Sequence, residues 1–110
     1  MEAIISALEE EKREAEKLIS KYERELEVLP KGSFFVRSIG KGNYGYITYS
    51  VGGKIQQKYL GRMSEAQIKK YKAQMGRASK LKSLLKSSKE NLDFLIKALR
   101  HAYAKSKRSA

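Results

Sequence analysis

Residues 31–62, KGSFFVRSIGKGNYGYITYSVGGKIQQKYLGR, decide the fold of this 110-residue chain. The stretch contains six Lys and Arg residues and no Asp or Glu. Glycines divide it into three β-prone runs, at residues 33–39, 44–51 and 54–60. Gly52-Gly53 is a two-residue hairpin signal that requires positive φ, and GKGN at residues 40–43 supplies the other turn. The sequence therefore predicts a three-stranded antiparallel β-meander over residues 33–60.

The two faces of this sheet follow from the alternation of side chains along a strand. The pattern predicts an inward face with Phe34, Val36, Ile55 and Tyr59. The opposite, solvated face is predicted to carry Phe35, Arg37, Lys54, Gln56 and Lys58. The face of the middle-strand tyrosines stays open, because the pattern does not fix the register of that strand.

A helix is predicted on each side of the sheet. Residues 2–29 have apolar residues at steps of three and four, and Pro30 ends the helix. The members of this stripe are Ile4, Leu8, Ala15, Leu18, Tyr22, Leu26 and Leu29. The second helical segment, residues 65–105, opens with a capping box at residues 64–67. Its stripe consists of Ile68, Tyr71, Met75, Ala78, Leu81, Leu85, Leu92, Leu95, Leu99 and Ala102.

The second segment leaves two alternatives open. A slip in the apolar spacing and Gly76 favour either one kinked helix or two helices that meet near Ser87, where a second capping-box motif begins. Residues 106–110 are expected to fray. The predicted fold is a single α+β domain over residues 1–110, in which the two long helices form a helical hairpin or coiled coil. Because both stripes are narrow, we also expect a homodimer.

The charge of the chain is large and unevenly distributed. The net charge is +12. Residues 1–29 contain nine acidic and five basic residues, whereas residues 30–110 contain three acidic and nineteen basic ones. Such a segregated positive charge favours a polyanionic partner, since its field attracts and steers polyanions at low salt. The alternative is that the lysines only keep the helix surfaces soluble.

Composition argues against several function classes. The chain has no Cys and a single His, so thiol catalysis, disulfides, Cys-ligated zinc and a His-based metal site are not expected. No combination of residues suggests catalysis, and we expect no enzyme activity, cofactor or metal. The N-terminus lacks the features of a secretory signal, and no run is apolar enough for a membrane span. We expect a cytoplasmic protein that does not bind membranes.

The basic sheet is the candidate binding site. The major groove of DNA admits a β-sheet or ribbon, in which Arg and Lys reach guanine and Gln reaches adenine. The predicted nucleic-acid-binding residues are Lys31, Arg37, Lys41, Lys54, Gln56, Lys58, Arg62, Lys69 and Lys70. Arg37, Gln56 and Lys58 are the candidates for base contact. The tyrosines of the sheet can stack on unpaired bases or pack within the sheet, and packing is favoured for most of them.

The order of strands and helix over residues 33–75, including YLGRMSEAQIKKY at residues 59–71, resembles the arm-type DNA-binding domain at the N-terminus of tyrosine recombinases. The matching pieces are the middle strand YGYITY, the turn GGK and the segment YLGR before the capping serine. This resemblance implies that the sheet enters the major groove and that a helix packs behind it. The same stretch also resembles a small uncharacterised prokaryotic family with a YLG-type sheet between long charged helices.

Three functions remain as hypotheses. The first is a non-enzymatic nucleic-acid-binding protein, with DNA favoured over RNA, that acts as a regulator or accessory factor of a mobile element. The second is a protein-interaction module, such as a phage-type anti-CRISPR inhibitor that binds a nucleoprotein effector and blocks its guide RNA or DNA. The third is a structural coiled-coil adaptor.

Overall fold

The computed structural model describes the backbone of residues 1–109 and the side chains of residues 1–107. The elements follow in the order α1 (Glu2–Glu27), β1 (Ser33–Ile39), β2 (Gly42–Val51), β3 (Lys54–Arg62) and α2 (Glu65–Ser109). The predicted α+β fold, with one long helix on either side of a three-stranded antiparallel sheet, is confirmed. The chain divides into two compact units, residues 1–26 with 81–110 and residues 27–80.

The sheet has β2 at its centre, flanked by antiparallel β1 and β3. Gly52 and Gly53 have φ values of 56° and 80°, so they form the two-residue turn that their sequence predicts. The other turn is tighter than predicted, since Ile39 already pairs with Gly42 and only residues 40 and 41 form the turn. β1 starts at Ser33, which pairs with Thr48, whereas β2 and β3 stay paired further, as far as Val51 and Lys54.

The helical unit consists of α1 and the part of α2 from Leu81 onwards. The inward positions of α1 alternate in steps of three and four: Ile5, Leu8, Lys12, Ala15, Ile19, Tyr22 and Leu26. Ala15 and Ile19 are buried on α1, and Leu81, Leu95, Leu99 and Ala102 are buried on α2. Tyr103 near the end of α2 contacts Glu9 near the start of α1, so the two helical segments run antiparallel.

The predicted inward position of two residues in the α1 stripe is wrong. Ile4 and Leu18 are exposed, and their neighbours Ile5 and Ile19 occupy the inward positions instead. The inward side follows a repeat of 3.5 residues that passes through Lys12, whose ammonium group pairs with Glu16 at 3.7 Å. A long aliphatic stem lets lysine occupy such a position while its charge stays in water.

α2 is one continuous helix, so the alternative of two helices that meet near Ser87 is wrong. The first capping box forms as predicted: Ser64 Oγ accepts from the Gln67 amide at 3.2 Å, and Gln67 Oε1 accepts from the Ser64 amide at 2.9 Å. The second motif, at residues 87–90, lies within the helix and caps nothing. The helix also includes residues 106–109 of the tail expected to fray, while Ala110 lies outside the described residues.

Candidate nucleic-acid interface

The sheet has two chemically different faces, which the strand register defines. On one, here called the packed face, Phe34 stacks on Tyr71 of α2 with ring centroids 5.1 Å apart. Ile47 is paired with Phe34 and is buried on the same face. Gly45 lies there too, and a Cβ at this position would clash with the Met63 side chain. The packed face therefore carries the apolar contacts that hold the first part of α2 against the sheet.

The opposite face, here called the outer face, carries two adjacent cross-strand rows. The aromatic row is formed by Phe35, Tyr46 and Tyr59, one residue from each strand. The arginine row is formed by Arg37, Tyr44 and Arg62. The two rows are two residues apart along β1 and β2, which places them about 7 Å apart on the same face.

The members of the aromatic row are in mutual contact. The rings of Phe35 and Tyr46 are stacked, with centroids 5.2 Å apart and an interplanar angle of 12°. The rings of Tyr46 and Tyr59 are also 5.2 Å apart but tilted by 46°. Phe35 and Tyr46 are partly buried, whereas Tyr59, on the edge strand β3, is 56% exposed. The row therefore presents aromatic surface to solvent, and most of this surface is at the β3 edge.

Arg37 links the two rows. Its guanidinium lies 5.4 Å from the ring centroid of Tyr46 and 5.8 Å from that of Phe35, within the range of cation–π attraction. The side chain is exposed, so the guanidinium remains accessible to a ligand. Its position over two rings keeps the positive charge on the outer face beside the aromatic surface.

The face predicted for β3 is wrong. Ile55 and Tyr59 lie on the outer face, and Lys54, Gln56 and Lys58 lie on the side of the packed face. The reason is the two-residue turn, which pairs Val51 directly with Lys54 and so fixes both on one face. Because Val51 shares its face with buried Ile47, the alternate residues of β3 from Lys54 to Lys58 do so as well. A β-bulge opposite Gly45 and Tyr46 then shifts the register, so that Arg62 pairs with Tyr44 on the outer face.

This register separates the three candidates for base contact. Arg37 is on the outer face, whereas Gln56 and Lys58 are on the other side of the sheet. Lys69 and Lys70 are exposed on α2, which packs on that same side through Tyr71. A single flat ligand therefore cannot contact Arg37 and these residues through one face of the sheet.

The remaining predicted residues lie at the ends of the strands. Lys41 and Arg62 line one open cleft of about 440 Å³, together with Asn43, Ser64 and Glu65. The cleft lies at the β1–β2 turn and the start of α2, next to the arginine row. Lys31 is exposed and lies two residues before the start of β1. Of the nine predicted residues, Arg37, Arg62 and Lys41 thus form the group that adjoins the outer face.

The sequence predicts packing within the sheet for most of its tyrosines, but not the exposed aromatic row that Tyr46 and Tyr59 form with Phe35. A signal was present, since YGYITY places Tyr44, Tyr46 and Thr48 on one face and Ile47 and Tyr49 on the other. Only one of those sets can face α2, and burial of Ile47 selects it. The tyrosines at positions 44 and 46 then belong to the outer face.

The chain matches a protein family described as a domain of unknown function, DUF6788, over residues 8–70. The chain belongs to this family. The matched region covers most of α1, the whole sheet and the start of α2, and therefore includes both rows of the outer face. No curated protein and no solved structure matches the chain significantly. The DUF6788 match gives no link to the tyrosine recombinases, so that resemblance remains an expectation.

Two further properties of the described part of the chain are relevant to its chemistry. Among the described side chains, those of residues 1–107, no three Asp, Glu or His side chains come together in the way that a metal site requires. Neither helix in this range contains an apolar segment sufficient to cross a bilayer.

Proposed function

We propose that this DUF6788 protein is a non-enzymatic nucleic-acid-binding protein whose contact surface is the outer face of its sheet. The observation that carries the proposal is the arginine row lying directly beside the partly exposed aromatic row. Guanidinium groups suit phosphates, and aromatic rings suit the faces of bases. None of the three strands contains Asp or Glu, so no carboxylate on the sheet opposes a phosphate.

The rest of the chain supports the same partner through its charge. Residues 30–110 contain nineteen basic and three acidic residues, which gives a field that attracts nucleic acid at low salt. Lys41 adjoins the arginine row through the cleft that it shares with Arg62. DNA is the leading polymer, and the role we propose is that of an accessory factor or regulator of a mobile element.

The test is a binding panel with two charge-matched double variants. Fluorescence anisotropy would measure affinity for labelled duplex DNA, single-stranded DNA and RNA at about 50 mM salt, where electrostatic contacts are strong, and then across a salt titration. The variant Arg37→Ala/Arg62→Ala removes two positive charges from the outer face. The control Lys54→Ala/Lys58→Ala removes two from the other side of the sheet.

The outer-face variant should lose about tenfold or more in affinity, since each arginine that contacts the polymer contributes on the order of 1 kcal/mol. The control should lose clearly less. If micromolar protein binds none of the polymers at low salt, the proposed function is wrong. If both variants lose affinity equally, the outer face is not the contact surface.

A second candidate function has one specific observation in its favour. Val51 and Ile55, which flank the β2–β3 turn, are 56% and 80% exposed. Exposed apolar side chains at a strand end fit a protein partner better than a phosphate backbone. Under this alternative the chain docks on a nucleoprotein effector and blocks its nucleic acid. Ile55→Ser should then abolish capture of an effector that persists after nuclease treatment, while leaving nucleic-acid affinity unchanged.

Homodimerisation remains a prediction from the narrow apolar stripes. Sedimentation equilibrium at micromolar concentration tests it directly, and a mass of 12.5 kDa at all concentrations would contradict it.

A further inference from the structure

We propose that the aromatic row binds single-stranded nucleic acid, with an unpaired base stacked on Tyr59 and the neighbouring phosphates held by the arginine row. This inference rests on the proposed function and specifies which form of nucleic acid the outer face takes. The sheet then serves as a stacking platform for unpaired bases, in contrast to the groove-binding mode implied by the recombinase resemblance.

The aromatic row is not needed to build the core of the sheet unit. Phe34 and Ile47 already supply the apolar contacts on the packed face. Tyr59 nevertheless keeps 56% of its surface exposed, although it packs beside Tyr46. Cross-strand aromatic contacts stabilise a sheet only modestly, and the exposed part of the Tyr59 ring is available to a ligand that covers it.

The shape of a nucleic acid determines whether its bases can reach these rings. In a duplex the faces of the bases are stacked on each other, and only their edges and the backbone are accessible. An aromatic side chain in the plane of a sheet surface cannot enter that stack without unstacking it. In a single strand each base has a free face, and stacking on aromatic side chains is the usual mode of recognition.

Positive charge lies next to the aromatic row. Arg37 is held over the rings of Phe35 and Tyr46, and Arg62 lies in the same row on the strand that carries Tyr59. A strand whose base stacks on Tyr59 can therefore place its backbone beside Arg62, three residues further along β3 across the bulge, and can extend along the arginine row towards Arg37 on β1. The alternation of an aromatic and a cationic row is the arrangement that single-strand binders use.

The test compares two tyrosines on opposite faces of the same hairpin. Tyr59→Leu removes the aromatic ring from the outer face but keeps an apolar side chain, and Tyr49→Leu makes the same change on the packed-face side. Tyr59→Phe keeps the ring. Anisotropy with a labelled 20-nucleotide oligothymidine and a labelled 20-base-pair duplex would be measured at one salt concentration, with far-ultraviolet circular dichroism to verify folding.

We expect tighter binding to the single strand than to the duplex. Tyr59→Leu should weaken oligothymidine binding by about 5- to 150-fold, the range for loss of one stacked base. Tyr59→Phe and Tyr49→Leu should stay within about twofold of the unmodified chain, because they leave an aromatic ring at position 59.

A fluorescence measurement reports stacking directly. The chain contains no Trp, so Tyr59→Trp introduces a single indole on the outer face. Stacking on thymine should quench its emission in proportion to the fraction bound. Saturable binding without quenching, or with the same affinity in Tyr59→Leu, overturns the stacking inference.

The failure of this inference is distinguishable from failure of the proposed function. If Tyr59→Leu leaves both polymers unaffected while Arg37→Ala/Arg62→Ala weakens both, the outer face binds nucleic acid without base stacking. The stacking inference is then wrong and the proposed function stands. If neither polymer binds, both are wrong.

Discussion

The guanidinium of Arg37 lies 5.4 Å from the ring centroid of Tyr46, on the face of the sheet opposite to the one that packs against α2. An exposed cation–π contact of this kind is worth about 0.5–1 kcal/mol. Its main consequence is conformational, because it holds a long flexible side chain in one orientation before a ligand arrives. Less side-chain entropy is then lost on binding.

The first prediction separates this pre-ordering from the charge itself. Arg37→Lys keeps the positive charge but loses the planar group that stacks on two rings. Affinity for nucleic acid should fall roughly 2- to 5-fold, the equivalent of an exposed cation–π contact. The slope of log affinity against log salt should stay unchanged, whereas Arg37→Gln should reduce it by about one phosphate contact. A reduced slope for Arg37→Lys would contradict this explanation.

The order of elements could be predicted from the sequence because each boundary has a local chemical cause. Pro30 ends the first helical segment, Gly52-Gly53 forms a tight turn, and Ser64 caps α2. Such signals act over three or four residues and need no knowledge of tertiary packing. The same locality explains the misleading second motif: the residues from Ser87 to Glu90 can form a capping box only where a helix begins, and α2 is continuous there.

The composition of the outer face could not be predicted in the same way. Alternation assigns residues of one strand to two faces but does not say which face meets the helix. Ile55 and Tyr59 look like core residues because they are the apolar residues of β3 at period two, yet both are exposed. The pairing with β2 determines which side chains of β3 face α2. Buried Ile47 pairs with Lys58, and the two-residue turn pairs Val51, on the same face, with Lys54.

The second prediction concerns the close packing at Gly45 on the packed face, for which Gly76 on α2 provides a control. A Cβ at Gly45 would overlap the Met63 side chain and lie 3.3 Å from Phe34 Cε1. Gly45→Ala should therefore lower the free energy of unfolding by about 1–3 kcal/mol, the usual cost of overpacking. A Cβ at Gly76, in α2, meets no atom within 4 Å. Gly76→Ala should raise the free energy of unfolding by about 0.5–1 kcal/mol through helix propensity. Urea denaturation measures both, and equal effects would contradict the packing described here.

The two capping-box motifs give a third prediction. Ser64→Ala removes the hydroxyl that accepts from the Gln67 amide and should cost about 0.5–2 kcal/mol of stability. Ser87→Ala changes the same residue type within the continuous helix, where alanine has the higher helix propensity. This control should be neutral or slightly stabilising. If Ser87→Ala destabilised the chain as much as Ser64→Ala, a helix would begin near residue 87 in solution.

The contact between Tyr103 and Glu9 makes the stability of the helical unit depend on pH. The Tyr103 hydroxyl donates a hydrogen bond to Glu9 Oε1. This bond, followed by desolvation and the charge of Glu9, raises the pKa of Tyr103 above its ordinary value of 10.0. The neutral phenol is thus favoured in the folded state. Its contribution to stability is fully present below the ordinary pKa and is lost as the pH rises through the raised, folded-state pKa.

The corresponding measurement is a difference between two chains, because many lysines also titrate in alkaline solution. The free energy of unfolding of the unmodified chain minus that of Tyr103→Phe should be positive and constant up to about pH 9. It should shrink towards zero above the ordinary pKa, as tyrosinate forms and is repelled by Glu9. Absorbance titration at the tyrosinate band should show one tyrosine with a raised pKa that disappears in Tyr103→Phe and returns to its ordinary range in Glu9→Ala. A difference that stays constant through the alkaline range would contradict a raised pKa of Tyr103 in the folded chain.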